Sequence, residues 1–134
     1  MSKEIPTVQK FMSYDPVTLD ADKAIVDAEN LMRDNGIRHL PIVEDGQVVG
    51  ILSDRDIKLA KSIVQAADAI QVRHICQSDV YSVEPNTPID VVVDTMADHQ
   101  YGSAVVVQNG KPVGIFTTVD ACRTLAEITR QRYH

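Results

Sequence analysis

The stretch Gly50-Ile51-Leu52-Ser53-Asp54-Arg55-Asp56 occurs again as Gly114-Ile115-Phe116-Thr117-Thr118-Val119-Asp120. Each copy follows a hydrophobic run and a Gly-containing turn, and each sets a hydroxyl residue three places before an aspartate. That order predicts a strand running into a helix. Ser53 or Thr117 takes the N-cap and Asp56 or Asp120 the third helical position, the capping-box pattern. The first turn of such a helix also offers unpaired N–H donors and a partial positive charge, which suits an anion. Capping alone would account for one copy. Two copies in one short chain point to a repeat.

A gapless offset of 64 residues (114 minus 50) also matches Asp15 with Asp79, Ile25 with Ile89, Met32 with Met96 and Asp34 with Asp98. It continues through Val43 with Val107, Gly46 with Gly110 and Val49 with Val113. The chain is an internal tandem repeat, each half one supersecondary unit. A half of about 60 residues buries only ~60% of its unfolded surface, so the two copies are expected to share a core as one module.

Within the first half, Thr7 to Met12 reads as a short helical lead-in and Val17-Thr18-Leu19 as a brief extended segment. Asp22 is the expected N-cap of a helix ending at Gly36, a suitable C′ residue. Two β-rich runs, Leu40 to Glu44 and Gln47 to Leu52, meet at Asp45-Gly46, a strong hairpin signal. A helix follows from Asp54 to about Val64. Residues 65–71 lack Pro and Gly, which predicts a largely helical bridge. The second half repeats the order: an extended Val80 to Glu84, then a helix opened by Thr87-Pro88-Ile89-Asp90 with proline at N1. A hairpin follows around Asn109-Gly110, and a last helix from about Thr118 to Arg130. The unit is β-α-β-β-α written twice, over residues 8–64 and 72–130.

The 134 residues are 44% hydrophobic and 24% charged, as in an ordinary globular domain. No Trp and few aromatics mean an aliphatic core, with Met32 and Met96 inside it. The N-terminus lacks an apolar signal-peptide region, and no apolar run approaches the ~20 residues of a membrane span. Cys76 and Cys122 do not correspond under the offset and form no C-x-x-C. Two free thiols in a cytoplasmic location are expected. The net charge of −6 disfavours broad contact with nucleic-acid phosphates but leaves room for one phosphorylated small molecule. Arg38-His39 and Arg55 are the local positive spots.

These residues resemble the cystathionine-β-synthase (CBS) domain family, whose members occur in tandem as Bateman modules. The resemblance runs from about Val8 to Ile128. It rests on His39-Leu40-Pro41-Ile42-Val43, the Asp-Gly hairpin and the two closing motifs. The second copy departs in its middle, with Gly102-Ser103-Ala104-Val105 where the first has Arg38-His39-Leu40-Pro41. The resemblance implies an α/β (α+β) fold of two repeats related by pseudo-two-fold symmetry and packed as one module. It also implies an adenosine-containing ligand in the cleft between repeats, and disc-like dimers. Carried over residue by residue, Asp56 and Asp120 would accept from ribose hydroxyls, and Ser53 and Thr117 would face phosphate. One site would join Asp120, Thr117 and Ile115 to Met12, Val17, Ile37, Arg38 and His39. The other would join Asp56, Ser53 and Ile51 to Cys76, Tyr81, Tyr101 and Ser103, with Arg55 close by.

Each of these residues also has a plainer role: a cap, a hairpin histidine, a solvated arginine, or packing tyrosines with their hydroxyls in water. His74, His99 and His134 form no metal-ligand grouping and read as surface. Enzymatic function is not expected. There is no phosphate-binding loop, G-x-S-x-G elbow or H-E-x-x-H, and Asp54 and Asp56 point to different sides of their helix. The expectation is a regulatory adenine-nucleotide (AMP-, ADP- or ATP-like) sensor without catalytic or metal sites, the nucleotide serving as regulatory ligand and no cofactor being used. Its signal would pass to a separate effector protein. The rival is a dimerisation module that binds nothing. The Ile25/Ala28/Met32 and Ile89/Val92/Val93/Met96 stripes are expected to lend surface to an isologous homodimer. The two sites are expected to be unequal, with Arg38 and His39 favouring more phosphorylated ligands at Asp120 and acidification through about pH 6.5 strengthening that site.

Overall fold

The computed structural model describes residues 4–133, so His134 lies outside the described residues. The chain divides into two compact units, residues 16–80 and residues 4–15 with 81–133. In the first unit, helix α1 (Ile25–Asn35) precedes the β3–β4 hairpin (His39–Glu44, Gln47–Ser53), and α2 (Asp54–Ile63) follows it. A short β2 (Leu19–Asp20) pairs in parallel with β3, giving the order β2-β3-β4. In the second unit, β5 (Ser82–Val83), α3 (Ile89–His99), β6 (Ser103–Gln108), β7 (Lys111–Thr117) and α4 (Thr118–Tyr133) repeat that plan. A further strand, β1 (Ser13–Tyr14), lies antiparallel to β7 and completes the order β1-β7-β6-β5.

Local signals fix the hairpins. Asp45-Gly46 and Asn109-Gly110 all take positive φ (52, 77, 55 and 79°), the backbone of a two-residue turn that matches strand twist. Both hairpins carry a register shift at the same place in the repeat, between Ile42 and Val43 and between Val106 and Val107. Leu40, Ile42 and Val43 of β3 are all buried, as is usual for a strand covered on both faces. Pro41 is tolerated there because β2 reaches only Ile42 and Val43, which leaves β3 an edge at the proline.

Four expectations need correction. The buried residues form two clusters rather than one shared core. Leu19, Ile25, Leu40, Ile42, Leu52 and Ile57 belong to one, and Val8, Val83, Val92, Val106 and Phe116 to the other. The helix starts also shift: α1 begins after Ala24, not Asp22, and α3 after Pro88, which is the N-cap and not N1. At α1 the Asp27 carboxylate accepts from Ala24 N at 3.2 Å, so an acid at N3 does the capping that no Asp22 side chain supplies. Residues 65–71 are not a helical bridge. Val64 is extended, Ala66 is left-handed (φ 56°) and only a 3₁₀ turn, Ala67–Ala69, remains. Finally, Ile25, Ala28, Met32, Ile89, Val92 and Met96 are buried within their own units and Val93 is partly buried against its core, so these stripes leave little surface for a second chain.

The compact units also cut the chain differently from the sequence repeat. The 3₁₀ turn Val8–Lys10 packs with the second half, where Val8 N donates to Thr87 O at 2.8 Å and Ile89 N to Pro6 O at 2.8 Å. Its counterpart Val72–His74 packs with the first half, where Val72 N donates to Lys23 O at 2.7 Å and Ile25 N to Ile70 O at 2.9 Å. Each repeat's lead-in thus caps the other's first helix. Val8 and Val72 are fully buried in those positions, so each contributes about 1.5–3 kcal/mol by leaving water.

Candidate functional site

The two motifs fold as expected into capped helix starts. Ser53 Oγ accepts from Asp56 N at 3.2 Å, and Asp56 Oδ2 accepts from Ser53 N at 2.9 Å. At the second copy, Thr117 Oγ1 accepts from Asp120 N at 3.3 Å. Asp120 Oδ2 in turn accepts from Thr117 N at 2.9 Å and from Thr117 Oγ1 at 3.1 Å. The strand ends are tied as well, since Asp54 N donates to Arg38 O and Thr118 N to Gly102 O. All four side chains are half-buried, held by backbone yet open to water.

Around the first cap stand residues of both expected sites. In the β3–β4 register His39 lies opposite Ser53. Burial holds the His39 imidazole below its ordinary 6.5; Asp54 and Asp56 oppose that and Arg38 adds to it. Proton uptake by His39 in the free protein therefore falls on the acid side of the pH 6.5 expected from sequence. Ile51 exchanges two backbone hydrogen bonds with Gln77, each 2.9 Å. Cys76 packs its sulfur over Gly50, and burial raises its thiol above the ordinary 9.0, which keeps it protonated and a weak nucleophile. Val17 and Ile37 pack against the core of this unit. Arg38 and Arg55 are exposed, and neither forms an ion pair among the described residues.

Around the second cap, Met12 packs on Gly114 as Cys76 does on Gly50, and Ser13 pairs with Ile115. Ser103 lies opposite Thr117 and is buried. Tyr81 and Tyr101 stack with centroids 5.2 Å apart and planes at 19°, and His99 also stacks with Tyr101 at 5.1 Å. Helix α3 ends in left-handed Gln100, which turns the chain so that Tyr101 N returns to Met96 O at 2.9 Å. His99 is exposed, as the surface reading expects, and in addition stacks with Tyr101.

One neighbour was missed altogether. Gln77 Nε2 donates to Asp56 Oδ1 at 3.3 Å. The repeat offset carried the signal, because Gln77 corresponds to Ser13, a far shorter side chain. A depression of about 340 Å³ lies at the other end of α2, lined by Lys61, Ile63, Val64 and Asp68 and without any residue of the Ser53–Asp56 cap. Among the described residues no cluster of His, Cys, Asp and Glu is arranged to hold a metal, and no helix is long and apolar enough to cross a membrane.

The sequence profile of the CBS domain matches residues 1–62 and 72–127 of this chain. The CBS domain-containing protein YhcV of Bacillus subtilis is 27% identical over 114 residues, covering 85% of this chain and 81% of YhcV. Several other curated relatives are much longer, and the chain spans about a quarter of their length. Among solved structures, AcuB of Vibrio cholerae superposes with a TM-score of 0.87 at 28% identity, over 98% of this chain and 99% of that one. The CBS domain pair of protein MJ0100, solved with 5′-methylthioadenosine and S-adenosyl-L-methionine, superposes at 0.85 with 27% identity, over 92% and 98%.

Proposed function

Because this chain belongs to the CBS domain family, we propose that it is a regulatory module that binds an adenosine-containing ligand through Asp120 and Asp56. One observation carries the reading. Asp120 spends Oδ2 on its cap, while Oδ1 accepts no hydrogen bond among the described residues. A half-buried carboxylate oxygen fixed at a helix start, with no protein donor, is suited to a pair of ligand hydroxyls. The related MJ0100 pair, which was solved with two adenosine compounds, supports the choice of chemistry. Ser53 and Thr117, at the positive ends of their helices, would lie toward the phosphate.

The proposal extends to assembly. Leu59 and Ile63 of α2 are 60% and 72% exposed, and Leu125 and Ile128 of α4 are 67% and 41% exposed. These apolar faces, not the buried α1 and α3 stripes, are the surface a homodimer would cover. Ligand occupancy would be passed to a separate effector protein.

The test is a thermal-shift panel of AMP, ADP, ATP and S-adenosylmethionine, followed by calorimetry on the best ligand. Stabilisation by at least one compound that Asp120→Ala weakens is the expected result. A panel with no shift would favour the ligand-free dimerisation module.

A further inference from the structure

Asp56 and Asp120 open their helices in the same way, but their outer oxygens differ in company. Asp56 Oδ1 accepts from the Gln77 amide at 3.3 Å, whereas Asp120 Oδ1 has no such donor among the described residues. The cause is one position of the repeat. Gln77 lies antiparallel to Ile51, and Ser13, 64 residues earlier, lies antiparallel to Ile115. Both therefore flank the strand that leads into the cap. Reciprocal backbone hydrogen bonds with Ile51 fix Gln77 in place, and from there a glutamine amide reaches the third residue of α2. The Ser13 hydroxyl is too short to do the same at Asp120.

We infer that Gln77 is a latch on Asp56. Its amide takes one of the two lone-pair sites of the oxygen that a pair of ligand hydroxyls would use, so both hydroxyls bind at Asp56 only when the amide swings away. The Asp120 site carries no latch and fills first. The inference rests on the adenosine-binding reading above, since only a ligand at Asp56 competes with Gln77. The latch is a modest one. Gln77 is exposed, so its displaced amide is rehydrated, and the bond is long for a charge-assisted one. Its effect on affinity should be about three- to tenfold.

Reciprocal swaps test it, with AMP as probe and calorimetry as readout. Gln77→Ser in an Asp120→Ala background should tighten AMP binding at the remaining site about three- to tenfold. Ser13→Gln in an Asp56→Ala background should weaken it by a similar factor. Both positions are exposed, so neither swap strains the core, and melting curves of the same samples verify that. In ligand-free protein, the side-chain amide resonances of Gln77 should move on Asp56→Asn. Unchanged AMP affinity in either swap, or unmoved Gln77 amide resonances, overturns the latch while leaving the nucleotide reading intact. AMP binding that neither Asp56→Ala nor Asp120→Ala weakens overturns that reading, and the latch with it.

Discussion

Asp120→Ala removes one carboxylate that serves both a cap and, on the proposed function, a ligand. On the cap side, Thr117 N and Thr117 Oγ1 lose their acceptor, at 2.9 and 3.1 Å in the folded protein. Half of the box survives, because Thr117 Oγ1 still accepts from the backbone N–H of position 120. The loss therefore belongs in the middle of the range for capping residues, about 1 kcal/mol. For a chain of this size that lowers Tm by roughly 3–6 °C. On the ligand side, the variant loses a charge-assisted hydrogen bond from Oδ1 worth about 1.5–3 kcal/mol, or ten- to 150-fold in Kd. Scanning calorimetry and AMP titration on the same samples separate the two effects. A lower Tm with unchanged affinity would reduce Asp120 to a cap and refute the ligand role. An unchanged Tm would refute the capping arithmetic.

His39 titrates below its ordinary 6.5 because it is buried, so as pH falls through about 6.5 the unfolded chain takes up the proton first. Stability is thus lost on the acid side, and His39→Gln should flatten the fall of Tm between about pH 7 and pH 5.5. An identical slope in the variant would exclude His39 as its source. A methyl at Gly50 would lie 2.6 Å from Cys76 Sγ and 3.1 Å from the Gln77 carbonyl oxygen. Gly50→Ala should therefore cost about 1–3 kcal/mol, partly restored by Cys76→Ala, and purely additive denaturation midpoints would sink the contact argument. Gln100 holds φ 57° at the end of α3, where its counterpart Gly36 holds φ 62°. Gln100→Gly should stabilise by about 1 kcal/mol in urea titration, and a destabilised variant would mean that the left-handed turn is not the controlling term.

What could be read from the sequence was local. The Asp-Gly and Asn-Gly turns, the alternation of strand and helix, and the hydroxyl-to-aspartate spacing each act within a few residues. All of them appear in the structure, the caps to within hydrogen-bonding distance. The failures are non-local or competitive. Nothing near Val8 or Val72 indicates that each will pack against the opposite half, because that choice depends on what the rest of the chain leaves uncovered. The α1 and α3 stripes read as surface for a second chain only while those lead-ins, which share their clusters, are left out. Residues 65–71 have good helix propensity, but Ala67 and Ile70 pack into the first core, and that packing breaks the helix. The stack of Tyr81, Tyr101 and His99 joins residues up to 20 apart and leaves no short motif.

The repeat itself separates scaffold from specificity. Positions that shape the backbone hold their chemistry or their conformation across the 64-residue offset. Val8 and Val72 both plug a core, Asp45-Gly46 and Asn109-Gly110 make the same turn, and Gly36 and Gln100 share the left-handed region despite differing in side chain. Ser53 with Asp56 and Thr117 with Asp120 keep the capped start, the one part of the site that the fold requires. The positions that surround those caps do not match: under the offset Met12 corresponds to Cys76, Ser13 to Gln77, Val17 to Tyr81, Ile37 to Tyr101, Arg38 to Gly102 and His39 to Ser103. A core substitution is resisted by packing, at several kcal/mol, whereas a change at a half-exposed rim costs the fold almost nothing. Core pairs such as Ala28 and Val92, Leu40 and Ala104, or Leu52 and Phe116 differ too but stay apolar and buried, whereas the pairs around the caps change in charge, polarity and aromatic character. An evenly matched pair of sites would have required the rim to stay as constant as the caps.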